Sequence, residues 1–194
     1  MTAEFEKSRG SHEDVIEQHN RFHTVRFAGT DWNLAHLNSF SIRLVIEVGL
    51  SVDVVVLFSC HCFTHAVEHD PRSPIPVSEL YWDGRERRVL NEERYRLSRK
   101  YLPELIRELP RRQIRVVPAR GNYFTLELVA ASGETKHYAV FFEVKKDKTR
   151  KKRLLLRVQS AYPVEKLDKR HTSAKKVNFT VLLRATYQGR RIRG

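Results

Sequence analysis

"HYAVFFEVKKDKTRKKRLLLRVQSAY" (137–162) sets two alternating apolar segments either side of a basic run. Tyr138, Val140, Phe142 and Val144 share one face of the first segment. Leu154, Leu156, Val158, Ser160 and Tyr162 share one face of the second. A period of two predicts strands, and the short polar stretch between them predicts a hairpin. Upstream, "YFTLELVA" (123–130) alternates in the same way, and Ser132-Gly133 supplies a turn. These three segments make a meander, and its register follows from keeping polar side chains out of the core. That argument sets Val140 beside Val158, Phe142 beside Leu156, Tyr138 beside Ser160, and Glu127 opposite His137.

Working outward, "SIRLVIEVGL" (41–50) and "VDVVVLFSCHCF" (52–63) read as a hairpin whose second strand is buried. "EHDPRSPIPVS" (68–78) is a proline-rich loop, and Asp83-Gly84 marks a tight turn. "NEERYRLSRKYLPELIRELP" (91–110) predicts a helix capped by Asn91, with Pro103 starting a second helix after a break. Residues 177–188 fit either a strand or a helix ended by Gly189. The expected architecture is α+β: a mostly antiparallel sheet with a C-terminal meander and one or two central helices. Residues 1–20 form a mobile N-terminal segment, 21–90 an N-terminal β layer, and 91–194 a helix and basic meander compact with that layer.

The net charge of +13 lies almost wholly in the C-terminal quarter. Residues 145–194 hold 17 Lys/Arg and 3 Asp/Glu, against 19 and 20 in the remainder. A local excess of this size steers polyanions and releases their counterions on binding. The expected partner is therefore nucleic acid, with RNA favoured, and the alternative is an acidic protein. The expected phosphate grip is Lys145, Lys146, Lys148, Arg150, Lys151, Lys152 and Arg153. No helix-turn-helix, zinc-finger or RNP motif offers a base-reading code. A membrane span or signal peptide is not expected, because no apolar stretch is long enough and the first 20 residues are acidic and polar. A cytoplasmic protein without cofactor is the reading that remains.

The polar face of the meander carries Glu127, His137 and Arg157. Metal-independent RNA cleavage needs a base, an acid and a cation for the charge developing on phosphorus, and these three supply the types. An ordinary solvated sheet face shows the same residue types, so non-catalytic binding stays open beside it. "CHCFTHAVEHD" gathers Cys60, His61, Cys62, His65 and His69. Cys-x-Cys on a strand is a poor zinc knuckle and cannot close a disulfide without distortion, so no metal is expected there.

The ending "YAVFFEV" to "LLLRVQSAYP", preceded by helices and flanked by Lys and Arg, resembles small bacterial ribonuclease toxins of the barnase, EndoU, colicin and RelE type. That likeness implies a metal-independent endoribonuclease toxin, with Ser160 and Tyr162 near its site. With "SCHCFT" (59–64) and "RYRLSRKYLPELI" (94–106), the chain also looks like a plasmid- and phage-associated family described as stationary-phase growth adaptation proteins, for which no activity is implied. The expectation is thus an RNA-directed protein of mobile-element type. Its alternatives are a non-catalytic nucleic-acid-binding accessory and a module for an acidic antitoxin-like partner.

Overall fold

The computed structural model describes residues 21–117, 121–129, 135–166, 173–190 and 192. The N-terminal segment expected to be mobile and the Ser132-Gly133 turn lie outside them. The fold is α+β, with a mostly antiparallel sheet, as the alternation predicts.

Two short strands, β1 (Val25–Phe27) and β2 (Thr30–Trp32), pair first. β3 (Phe40–Glu47) and β4 (Leu50–Phe58) then form the expected hairpin, closed by Gly49 at φ +74°. Glycine tolerates this left-handed backbone at no steric cost. The strand stops at Phe58. Cys60–Cys62 is a 3₁₀ turn, because the Ser59 side chain accepts from the His61 N–H at 3.0 Å and draws the backbone out of extension. Cys60 and Cys62 therefore do not share a strand face.

β5 (Thr64–Ala66), β6 (Leu80–Trp82) and β7 (Arg87–Leu90) make a small sheet in the order β5-β7-β6. The Asp83-Gly84 turn joins β6 to β7, with Gly84 at φ +96°. Helix α1 (Glu92–Arg107) is capped by Asn91, whose side chain accepts from the Arg94 N–H at 2.9 Å. Glu92 and Glu93 in its first turn and Arg107 in its last suit the helix dipole. Pro103 lies within this single helix and does not divide it. An internal proline costs roughly 3 kcal/mol. Burial of Leu102, Leu105 and Ile106 on both sides of Pro103 keeps the helix continuous.

The main sheet gains β8 (Gln113–Val117), β9 (Gly121–Val129), β10 (Thr135–Lys146), β11 (Arg153–Val164) and β12 (Lys175–Asn178). Its order is β12-β8-β9-β10-β11-β4-β3. β11 runs parallel to β4, a pairing between distant segments that strand periodicity does not announce. Residues 177–188 take the helical alternative over most of their length: β12 ends at Asn178, and helix α2 (Phe179–Tyr187) follows, with Gly189 left-handed after it.

β9 and β10 pair as expected, with His137 opposite Glu127. Across β10 and β11 the register differs. Phe142 faces Val158, Val144 faces Leu156, and a bulge then sets Phe141 against Ser160, Val140 against Ala161 and Tyr138 against Pro163. The extra residue is Gln159, and it reverses the in/out alternation beyond it. Ala161 is buried there, so Ser160 and Tyr162 leave the face that strict alternation assigns them.

One hydrophobic cluster joins the sheet to α1 and α2, through Val54, Val56, Leu156, Val158 and Phe142 with Leu102, Ile106 and Phe179. The Phe142 and Phe179 rings meet edge-on at 6.1 Å.

Candidate nucleic-acid interface

The loop between β10 and β11 is built on one carboxylate. Asp147 Oδ1 accepts from the Thr149 N–H at 2.8 Å and from its hydroxyl at 2.7 Å, while Oδ2 accepts from Arg153 Nε at 2.6 Å. The Asp147 and Arg153 side chains are only 3% and 5% exposed. Burial alone would raise the Asp147 pKa. The hydrogen bonds from Thr149 and the Arg153 guanidinium outweigh it and hold the pKa down to about 2. Arg153 is therefore a buried strut and not part of a phosphate grip, which corrects the sequence expectation.

With the loop pinned from inside, its other cations face outward. Lys148, Arg150, Lys151 and Lys152 are exposed, and Lys152 takes a left-handed backbone at φ +59°. Lys145 pairs with Glu143 at 2.8 Å on the surface, a contact that holds little free energy and leaves the ammonium exchangeable. Lys146 Nζ donates to the Tyr187 carbonyl at 3.3 Å and lies 4.8 Å from the centre of the Tyr187 ring. That contact joins the hairpin to the C-terminal end of α2.

The junction encloses an open cleft of about 890 Å³. Lys145, Lys146, Lys148, Arg150, Lys151 and Arg190 line it, and among the described residues its one acidic residue is the buried, paired Asp147. Arg190 comes from beyond α2, so two basic stretches distant in sequence meet, which the sequence alone does not show. Lys175 and Lys176 do not join them. Their strand β12 lies three places from β10, about 14 Å across the sheet.

The opposite end of the same ribbon does not assemble the expected catalytic set. Glu127 and His137 are cross-strand partners. Arg157, however, pairs with Glu143, and His137 with Val164. Six residues of extended strand put Arg157 about 20 Å from His137. The trio therefore cannot act on one phosphate. The Glu127 side chain lies outside the described ones.

Tyr162 stacks on Phe141 with centroids 5.5 Å apart, and the Arg94 guanidinium sits 4.6 Å from the Tyr162 centroid. Arg94 also donates to the carbonyls of His61 at 3.1 Å and Thr64 at 2.8 Å. Tyr162 thus holds the start of α1 against the sheet. It also edges a smaller cleft of about 290 Å³ with His65, His69 and Glu93. His65 offers that cleft no free ring nitrogen: Nε2 contacts Asp70 and Nδ1 contacts Asn91, each at 3.1 Å.

Of the cysteine and histidine cluster, Cys62 is fully buried, and burial pushes its thiol up to about 12. His69 lies exposed in the 3₁₀ turn Val67–His69. Cys60 and His61 instead meet Asp83 from the β6–β7 turn, with their donor atoms all within 4.8 Å of one another. Asp83 read in the sequence as a turn former alone, and no local spacing signals its approach to the cysteine.

The model of the YjaZ family matches residues 23–187 of the chain. The chain is 32% identical over 114 residues to "Protein YjaZ" of Escherichia coli (strain K12), covering 59% of this chain and 61% of that protein. The aligned stretch thus spans less than two thirds of that relative. No solved structure matches. These matches overturn the likeness to ribonuclease toxins, and they stand in place of the likeness to plasmid- and phage-associated stationary-phase proteins.

Proposed function

The chain belongs to the YjaZ family, and from that premise we propose that it is a non-catalytic, nucleic-acid-binding protein that grips the phosphate backbone in the cleft between the β10–β11 hairpin and the end of α2. One observation carries the reading: among the described residues, six cations line one open cleft whose only carboxylate is buried and neutralised. Phosphate-rich backbone fits such a lining, because each neutralised phosphate releases counterions. Binding of this kind fixes register on the polymer without reading bases.

RNA is the favoured polymer. Binding in the reducing cytoplasm accords with the free thiols of Cys60 and Cys62. Among the described residues no helix is long and apolar enough to cross a membrane.

The test is fluorescence anisotropy of labelled single-stranded and duplex RNA and DNA in EDTA at moderate salt, with each probe then run on a denaturing gel. Retention of intact RNA supports the proposal. Cleavage of the probe would contradict the non-catalytic reading. Binding only to an acidic protein, and to no nucleic acid, would move the cleft to the alternative partner.

A further inference from the structure

We propose that Cys60, His61 and Asp83 form a site for a zinc-type transition-metal ion, with one coordination position left for an exogenous ligand. The three residues present a thiol, an imidazole and a carboxylate, all within 4.8 Å of one another. Tetrahedral zinc with bonds of about 2.0–2.3 Å separates its donors by roughly 3.5 Å, so closure asks for a shift on the order of 1 Å. His61 Nε2 and Asp83 Oδ2 already stand 3.9 Å apart. That is too long for a hydrogen bond and close to the span that a shared ion sets.

The surroundings fix the Asp83 carboxylate and the backbone that carries Cys60 and His61. Asp83 Oδ1 accepts from the backbone N–H of Arg85 at 2.8 Å and of Glu86 at 2.9 Å, which turns Oδ2 toward His61. Ser59 fixes the 3₁₀ turn by accepting from the His61 N–H and donating to the Gln159 carbonyl at 2.9 Å. The Thr64 hydroxyl donates to the Cys60 carbonyl at 2.9 Å. The Asp83 carboxylate, hydrogen-bonded through its other oxygen, has the support usual for a ligating carboxylate.

Arg88 acts electrostatically on both His61 and Asp83, and its guanidinium is engaged by Thr64 Oγ1 at 2.9 Å and Glu86 at 2.6 Å. It stays outside the donor set. The combination of thiolate, imidazole and carboxylate selects zinc or cobalt over magnesium or calcium, which prefer oxygen alone. Three protein donors with one open position match zinc sites that bind an exchangeable ligand more than closed structural ones. The His61 side chain is 39% exposed, which gives the ion a path in from solvent.

The experiment is a titration of the full chain with Co²⁺, followed by visible absorption and by the ultraviolet thiolate-to-cobalt charge-transfer band, then back-titration with Zn²⁺ or Mg²⁺. One equivalent of Co²⁺ should bind with that band, displaced by Zn²⁺ and not by Mg²⁺. Cys60→Ser should abolish the band, Cys62→Ala should keep it, and Asp83→Asn, which retains the turn acceptor, should weaken binding at least about tenfold. If Cys60→Ser loses its fold by circular dichroism, His61→Ala decides in its place, and unchanged affinity there overturns the proposal. A wild type without the charge-transfer band, or a band that survives in folded Cys60→Ser, overturns it as well.

Discussion

The two ends of the β10–β11 ribbon carry similar polar residues and are built differently. At the hairpin end, Asp147 and Arg153 turn inward and neutralise one another, and the remaining cations are turned out over a cleft. At the other end, His137 and Arg157 are exposed or half-exposed but lie far apart along the strand, and Tyr162 is held by Phe141 and Arg94. The difference teaches that a site follows from convergence. Residue types suited to catalysis do not converge when six positions of extended strand separate them, whereas plain lysines line one cleft once a second element closes over them.

The largest expected effect breaks the comparison at its buried strut. Asp147→Ala removes the buried carboxylate that Arg153 Nε donates to, so chemical denaturation should show a loss of about 3–5 kcal/mol. A wild-type midpoint would mean that the hairpin does not depend on this pair. Next, reversing Lys148, Lys151 and Arg190 to glutamate should weaken RNA binding on the order of 100-fold at moderate salt with the circular dichroism unchanged. Retained affinity would leave the cleft without a role.

A third effect comes from acid. The Asp147 pKa is lower in the folded protein, about 2, than the ordinary 3.8, so its stabilisation is full above that ordinary value and is lost as pH falls toward 2. An acid titration of stability should show this loss between about pH 4 and 2, and Asp147→Asn should remove that part of the pH dependence. The smallest effect sharpens the comparison from the other end. His137→Ala and Arg157→Ala should leave RNA affinity within about twofold and the RNA uncut, measured by anisotropy and denaturing gel.

Much of this was legible where the signal is local. Alternation located β9, β10 and β11, the Asn91 side chain announced the start of α1, and Asp83-Gly84 announced the β6–β7 turn. The charge excess located the basic lining of the cleft at the hairpin end. What stayed hidden depends on partners distant in sequence. The bulge at Gln159 shows no periodicity break, since Ser160, Ala161 and Tyr162 fit either face. The parallel pairing of β11 with β4 links segments a hundred residues apart. Pro103 breaks a helix by local rules, and only burial of its neighbours overrides them. Arg153 looked like one more surface cation until the partnership with Asp147 turned it inward.

The most direct test of the central claim is the salt dependence of RNA affinity, compared between wild type and the Lys148→Glu/Lys151→Glu/Arg190→Glu variant. Single-stranded nucleic acid loses about 0.7 in slope for each phosphate contact removed, so the variant's log–log slope should be shallower by about two. Parallel slopes for the two proteins would show that these cations do not touch phosphate, and the cleft would not be the nucleic-acid site.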